Sequence, residues 1–303
     1  MEKFITTPDG LSLWTESFGR PEHPPILLVM GAMNQGIFWP DGFCEALAAA
    51  GFYVVRYDHR DTGQSSTVDF QSAPYDLDTL TDDAVAVIHG HRLVRPTVVG
   101  LSMGGYIAQL MAVRHPGIAS RLVLISSTAD HRPYMAATMG QSHSAFTLPK
   151  PERIYLDYLL SAAIHPPRTH AETLQSMVDG WAMTYGGSRP FPRAEVTHAI
   201  GLAMQRSSSL SAGFHHALAV AASPHRLELV LRIATPTLVI HGRHDPLLPL
   251  PHGNYLAHHI PLAQLEVLDM GHAFMWSWDA EVLSLVQGFI SQNPTQPPQN
   301  MCE

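Results

Sequence analysis

The stretch Val98-Val99-Gly100-Leu101-Ser102-Met103-Gly104-Gly105-Tyr106 decides the fold. A short apolar run, Pro96 to Val99, leads into Gly-x-Ser-x-Gly, and a helical pattern of Tyr106, Ile107, Leu110 and Met111 follows. This spacing predicts a strand, a tight turn carrying Ser102, and a helix. The turn drives the serine into a strained backbone conformation, and Gly100 and Gly104, having no Cβ, leave room for it. The hydroxyl then projects beyond the strand at a helix N-terminus, where free N–H groups favour a developing negative charge.

Outward from this stretch, apolar runs alternate with helical patterns, which predicts an α/β architecture with a mostly parallel sheet flanked by helices. Strands are expected at Leu11–Phe18 (an edge strand), Pro25–Met30, Phe52–Tyr57, Thr97–Val99 and Arg121–Ser126, and again at Thr235–His241 and Gln264–Asp269. Helices are expected at Trp39–Ala50, Thr79–His91, Met103–His115, near His252–His259, and at Asp279–Ser291. The grammar breaks from about Asp130 to Pro224, where helical stretches rich in Met, His and aromatics show no convincing strand. The expected organisation is a core of residues 1–130 and 226–291, a helical cap of residues 131–225, and a polar, Pro-rich, flexible tail of residues 292–303.

Strand, Gly-x-Ser-x-Gly turn and helix together resemble the nucleophile elbow of the α/β-hydrolases, and an α/β-hydrolase fold with a helical cap is what that resemblance implies. A serine hydroxyl is a poor nucleophile at neutral pH and needs a base, itself oriented by an acid. In that fold both follow the serine in chain order, on loops after later strands. The base is then His272, in Asp269-Met270-Gly271-His272, and the acid Asp245, in His244-Asp245-Pro246, with Asp130 as the rival acid. The two oxyanion donors are the backbone N–H groups of Met103, next to the nucleophile, and Ala32, on the loop after Pro25–Met30. Many relatives carry His-Gly where this chain has Met30-Gly31.

The motifs Leu27-Leu28-Val29-Met30-Gly31, Arg56-Tyr57-Asp58-His59-Arg60-Asp61-Thr62-Gly63-Gln64-Ser65, Gly-Leu-Ser-Met-Gly, His-Asp-Pro and Gly-His resemble, over about residues 9–290, the α/β-hydrolase esterases that act on polyketide antibiotics. These are the macrolide esterases and the aclacinomycin methylesterase group. The opening Gly31–Trp39 looks closer to the macrolide esterases. The resemblance implies a serine carboxylic-ester hydrolase without cofactor, opening a 16-membered macrolide ring as a means of antibiotic inactivation and resistance. An anthracycline methyl ester is the second substrate. The same triad also serves carbon–carbon bond hydrolases and cofactor-free perhydrolases, and a non-catalytic receptor can keep the fold. Met33 and Asn34 on the loop, and Trp181, Phe214 and His215 in the cap, are the expected substrate contacts. The charged turn Asp58–Ser65 is expected to be structural.

A net charge of −8 argues against nucleic acid and anionic membranes as partners. No apolar run approaches a membrane span, and Met1-Glu2-Lys3-Phe4 starts no signal-peptide pattern, so a soluble cytoplasmic monomer or homodimer is expected. Cys44 is expected to be buried and Cys302 to lie in the tail, with no disulfide between them. The 19 histidines include adjacent pairs, but their spacing puts no two rings on one helix face, so no metal site is expected.

Overall fold

The computed structural model of the protein describes residues 1–141 and 146–292. Among these, strands β1 (Glu2–Thr6), β2 (Ser12–Phe18), β3 (Pro25–Val29), β4 (Tyr53–Tyr57), β5 (Thr97–Leu101), β6 (Arg121–Ile125), β7 (Thr237–Gly242) and β8 (Ala263–Leu268) form one sheet in the order β1-β2-β4-β3-β5-β6-β7-β8. β1, β2 and β4 pair antiparallel, and every pairing from β4 to β8 is parallel. The central strands are buried along nearly their whole length, because helices cover both faces. That is why they read as continuous apolar runs.

The helices are α1 (Asp41–Ala49), α2 (Leu77–Gly90) and α3 (Met103–Arg114); then, between β6 and β7, α4 (Arg132–Thr138), α5 (Arg153–Ile164), α6 (His170–Thr184), α7 (Arg193–Arg206) and α8 (His215–Ala222); and finally α9 (Pro251–His259) and α10 (Asp279–Ser291). On one face of the sheet Leu80, Ala84 and Val87 of α2 join Ile107 and Met111 of α3 over Val98, Leu122 and Val239. On the other, Phe43 and Leu47 of α1 join Val282 and Val286 of α10 over Leu28, Val99 and Ile240.

Two expectations need correction. The sequence puts Leu11–Phe18 at the sheet edge, but β2 is an inner strand and β1 is the edge. β1 escapes pattern reading because only Ile5 of its five residues is buried. The second helix begins at Leu77, ahead of the expected Thr79, because the Asp76 carboxylate caps it by accepting the Thr79 N–H at 3.0 Å.

The chain order around β3 positions the site. From β3 the chain crosses to β4 on one side and then returns to β5 on the other. A reversal of this kind makes the C-terminal ends of β3 and β5 the place where a ligand site is expected. Cys44 is fully buried in α1; Cys302, and the tail beyond Gln292, lie outside the described residues. No helix among the described residues is long and apolar enough to cross a membrane.

Candidate active site

Ser102 stands between β5 and α3 with φ 53° and ψ −115°, a conformation that L-residues rarely adopt. Strain of this kind costs about 1–3 kcal/mol and persists only where the surroundings enforce it. Steric contacts enforce it here. A Cβ on Gly100 would sit 2.3 Å from the Gly104 carbonyl oxygen, and one on Gly104 would sit 2.1 Å from the Val29 oxygen. A Cβ on Gly105 would strike the Ser127 hydroxyl at 2.3 Å. The Ser102 hydroxyl does not cap α3, although serine at this position usually does. It stays available for chemistry.

The loop after β3 meets the elbow: a Cβ on Gly31 would lie 3.4 Å from the Ser102 Cβ. Neither the Ala32 N–H nor the Met103 N–H has a backbone acceptor among the described residues. Both belong to residues flanking this contact, as expected of an oxyanion site.

The loops after β7 and β8 bring the candidate acid and the candidate base together. His272 Nδ1 donates to Asp245 Oδ2 at 2.7 Å. The other Asp245 oxygen accepts the N–H groups of Leu247 and Leu248, each at 2.9 Å. With Nδ1 protonated, the neutral imidazole carries its lone pair on Nε2, the atom a general base uses. Burial by itself would push the Asp245 carboxyl up; the His272 ring, with His241 and the Leu248 N–H, more than offsets this and holds it below its ordinary value. His241 lies 3.6 Å from the same carboxylate, but donates Nε2–H to the Leu248 carbonyl at 2.7 Å, and burial pushes its pKa down.

The backbone of the His272 loop is held from the inserted helices. The Thr184 carbonyl, at the end of α6, accepts the His272 N–H at 2.7 Å. Gly271 permits this approach, since a Cβ there would lie 2.3 Å from the Thr184 oxygen. Chain-distant contacts of this kind leave no local pattern, although a glycine before a candidate histidine is a hint.

Asp130 is 0% exposed but bonds bidentately to Arg132, at 2.8 and 2.7 Å, and its carboxyl sits below its ordinary value: burial raises it and Arg132 outweighs that. Its carboxylate makes no bond to His272. The Asp58–Ser65 turn is internally bonded. The Asp58 carboxylate accepts the N–H groups of Gly36 at 2.7 Å and Gln64 at 3.0 Å, and Arg206 of α7 at 3.2 Å. Arg60 pairs with Asp83 at 2.7 Å.

The expected substrate contacts divide. Met33 and Phe214 are exposed, at 46% and 64%. Asn34 donates its side-chain amide to the Ala32 carbonyl at 2.9 Å, and His215 Nδ1 lies 3.0 Å from the Asp61 carboxylate, so both have partners within the protein. Trp181 is half-buried and stacks on Phe38 with ring centroids 4.8 Å apart, and Trp276 lies 6.0 Å away. The neighbouring Gly180 lies inside α6, where a Cβ would come within 3.2 Å of the Tyr158 hydroxyl. No group of three His, Cys, Asp or Glu side chains suited to a metal ion occurs among the described residues.

The chain belongs to the α/β-hydrolase family: the family model described as the alpha/beta hydrolase fold matches residues 24–277. It is 36% identical to the rhodomycin D methylesterase of Streptomyces sp. (strain C5) over 273 residues, covering 89% of this chain and 91% of that one. Identity to the rhodomycin D methylesterase of Streptomyces peucetius is also 36%, with the same coverage. Among solved structures, an esterase from Exiguobacterium antarcticum superposes with a TM-score of 0.76 at 20% identity, covering 96% of this chain and all of that one.

Proposed function

We propose that the protein is a serine esterase whose substrate is the methyl ester of an anthracycline-type aromatic polyketide. The observation that carries the chemistry is the 2.7 Å His272–Asp245 bond, taken with a strained elbow serine whose hydroxyl caps nothing. The choice of ester rests on the 36% identity to two rhodomycin D methylesterases. That identity reverses the order expected from the Gly31–Trp39 loop, which put macrolide ring opening first.

In this reading Ser102 Oγ attacks the ester carbonyl while His272 Nε2 takes its proton. The carbonyl oxygen becomes an oxyanion and is received by the N–H groups of Ala32 and Met103. His272 returns the proton to the methoxy oxygen, and methanol leaves an acyl group on Ser102. Water then repeats the sequence: His272 takes a proton from it, the oxyanion forms again, and the free acid departs as Ser102 recovers its proton. Asp245 holds the imidazole tautomer and stabilises the imidazolium. Helices α4–α8 form a cap over the site, where Met33, Trp181 and Phe214 supply apolar contact to the ring system, and Asn34 and His215 supply polar contact at its rim.

A substrate panel tests this. An anthracycline methyl ester and a 16-membered macrolide are incubated with the protein and with Ser102→Ala, and the products are weighed. The expected result is loss of one CH2 from the anthracycline, absent with Ser102→Ala, and an unchanged macrolide. A macrolide that gains one water, with the anthracycline untouched, overturns the choice of ester. Neither change overturns both.

A further inference from the structure

One imidazole joins the inserted helices to the loop that carries Ala32. His216, on α8, is 0% exposed, and both of its ring nitrogens are bonded. Its Nε2 lies 2.8 Å from the Arg60 carbonyl oxygen, which can only accept, so Nε2 carries the proton. Nδ1 is then the lone pair, and it accepts the backbone N–H of Met33 at 3.0 Å. Burial, with His59 nearby adding to it, pushes the His216 pKa down to about 3, so the ring is the neutral acceptor this bond needs.

The bonded amide is in a special place. Met33 has φ 65°, the left-handed region that a side-chain-bearing residue visits at a cost. Its N–H belongs to the peptide unit immediately after Ala32. Gly213, just ahead of His216, packs on the same residue: a Cβ there would lie 3.3 Å from the Met33 Cα. Around this peptide His59 Nε2 bonds the Met30 carbonyl at 2.9 Å, and its ring meets His216 edge to face at 5.5 Å. The loop is thus bonded at Met30 and at Met33, on either side of Gly31 and Ala32.

We propose that His216 is a positioning residue for the oxyanion site: its Nδ1 holds the Met33 peptide in its left-handed turn and so keeps the Ala32 N–H aimed at the position where negative charge develops above Ser102. This rests on the serine-esterase reading. His216 touches neither substrate nor reacting atoms, so its effect falls on transition-state stabilisation. An oxyanion donor that wanders lowers kcat and leaves ground-state binding of a small ester nearly unchanged.

The two ring nitrogens are tested separately. Asparagine places an oxygen where Nδ1 stands and keeps an acceptor for Met33. Glutamine places an amide N–H where Nε2 stands and keeps only the donor to Arg60. With p-nitrophenyl acetate, too small to depend on the cap, His216→Gln is expected to lose at least about tenfold in kcat, with KM within about twofold. His216→Asn recovers most of that loss. Wild-type kcat in a His216→Gln variant of unchanged melting temperature overturns the proposal, as do equal losses in the two variants. The wild-type protein supplies a readout that no variant can spoil: long-range 1H–15N NMR correlations of the His216 ring should report protonated Nε2 and bare Nδ1. The opposite tautomer overturns the proposal. Ser102→Ala is run alongside. Ester turnover equal in wild type and Ser102→Ala contradicts the esterase reading and takes this proposal with it, whereas Ser102-dependent turnover indifferent to His216 contradicts this proposal alone.

Discussion

The elbow and the inserted helices are built to different tolerances. All five residues of β5 are buried, and so are ten of the twelve in α3, from Met103 to Ala112. By contrast, α5 buries only Tyr155 of its 12 residues, and α6 only Val178 of its 15. Ile154, Leu160 and Ile164 of α5 are each more than 60% exposed. A side chain added at Gly100 or Gly104 collides with backbone and has nowhere to go; most side chains of α5 and α6 can be exchanged at a small cost in packing. In the elbow, chemistry is therefore tied to the fold. The insert is a layer that can vary without unfolding the sheet.

This contrast predicts a large kinetic effect with little structural effect at the loops after β7 and β8. Asp245→Asn should lower kcat by about 10²–10⁴-fold, because an amide favours the wrong tautomer of His272. Asp130→Asn should stay within a few fold of wild type, since Asp130 serves Arg132. Steady-state kinetics on one ester, with circular dichroism to check folding, decides between them, and a dead Asp130 variant would reverse the assignment.

The insert should show a smaller and substrate-dependent effect. Trp181→Ala is expected to lower kcat/KM for an anthracycline methyl ester by about tenfold or more, about 1.4 kcal/mol, while p-nitrophenyl acetate is hydrolysed nearly as before. Because Trp181 also stacks on Phe38, the melting temperature is measured with the rates. Equal losses on both esters with a lowered melting temperature would assign Trp181 to packing.

The smallest effect is graded and common to both regions. Burial pushes His59 and His252 in the core down to about 4, and His216 in the insert and His131 at its start down to about 3, from an ordinary 6.5. Unfolding releases these rings to their ordinary value. Between about pH 6.5 and pH 3–4 the unfolded chain then binds more protons than the folded one. Stability carried by the four neutral rings is complete above this window and is lost as pH falls through it. Melting temperature should decline from pH 7 to pH 4, and His216→Asn should flatten the slope. A melting temperature constant over that range would contradict the burial of these rings in neutral form.

Much of the candidate site is legible in the sequence because it is written in short spacings. Gly100-x-Ser102-x-Gly104 fixes its own geometry, and both Asp245 and His272 sit directly after strands whose apolar runs are unmistakable. β1 was not legible, because an edge strand with one buried residue carries no alternation. In the sequence His216 is half of an adjacent histidine pair next to the expected substrate contacts Phe214 and His215. Its partner Met33 is 183 positions away, and no local period encodes a bond across that separation. The order of substrates read from the sequence rests on nine residues of one loop, whereas the 36% identity to two rhodomycin D methylesterases runs over 273 and 274 residues and favours the methyl ester.

The central claim is that Ser102 carries the acyl group in the reaction. Single-turnover hydrolysis of an anthracycline methyl ester in 18O-water, quenched with acid and analysed by peptide mass spectrometry, tests it most directly. The account predicts a transient acyl adduct on the peptide containing Ser102, 18O in the carboxylate of the product, and none in the methanol. An adduct on another residue, or 18O in the methanol, would contradict it.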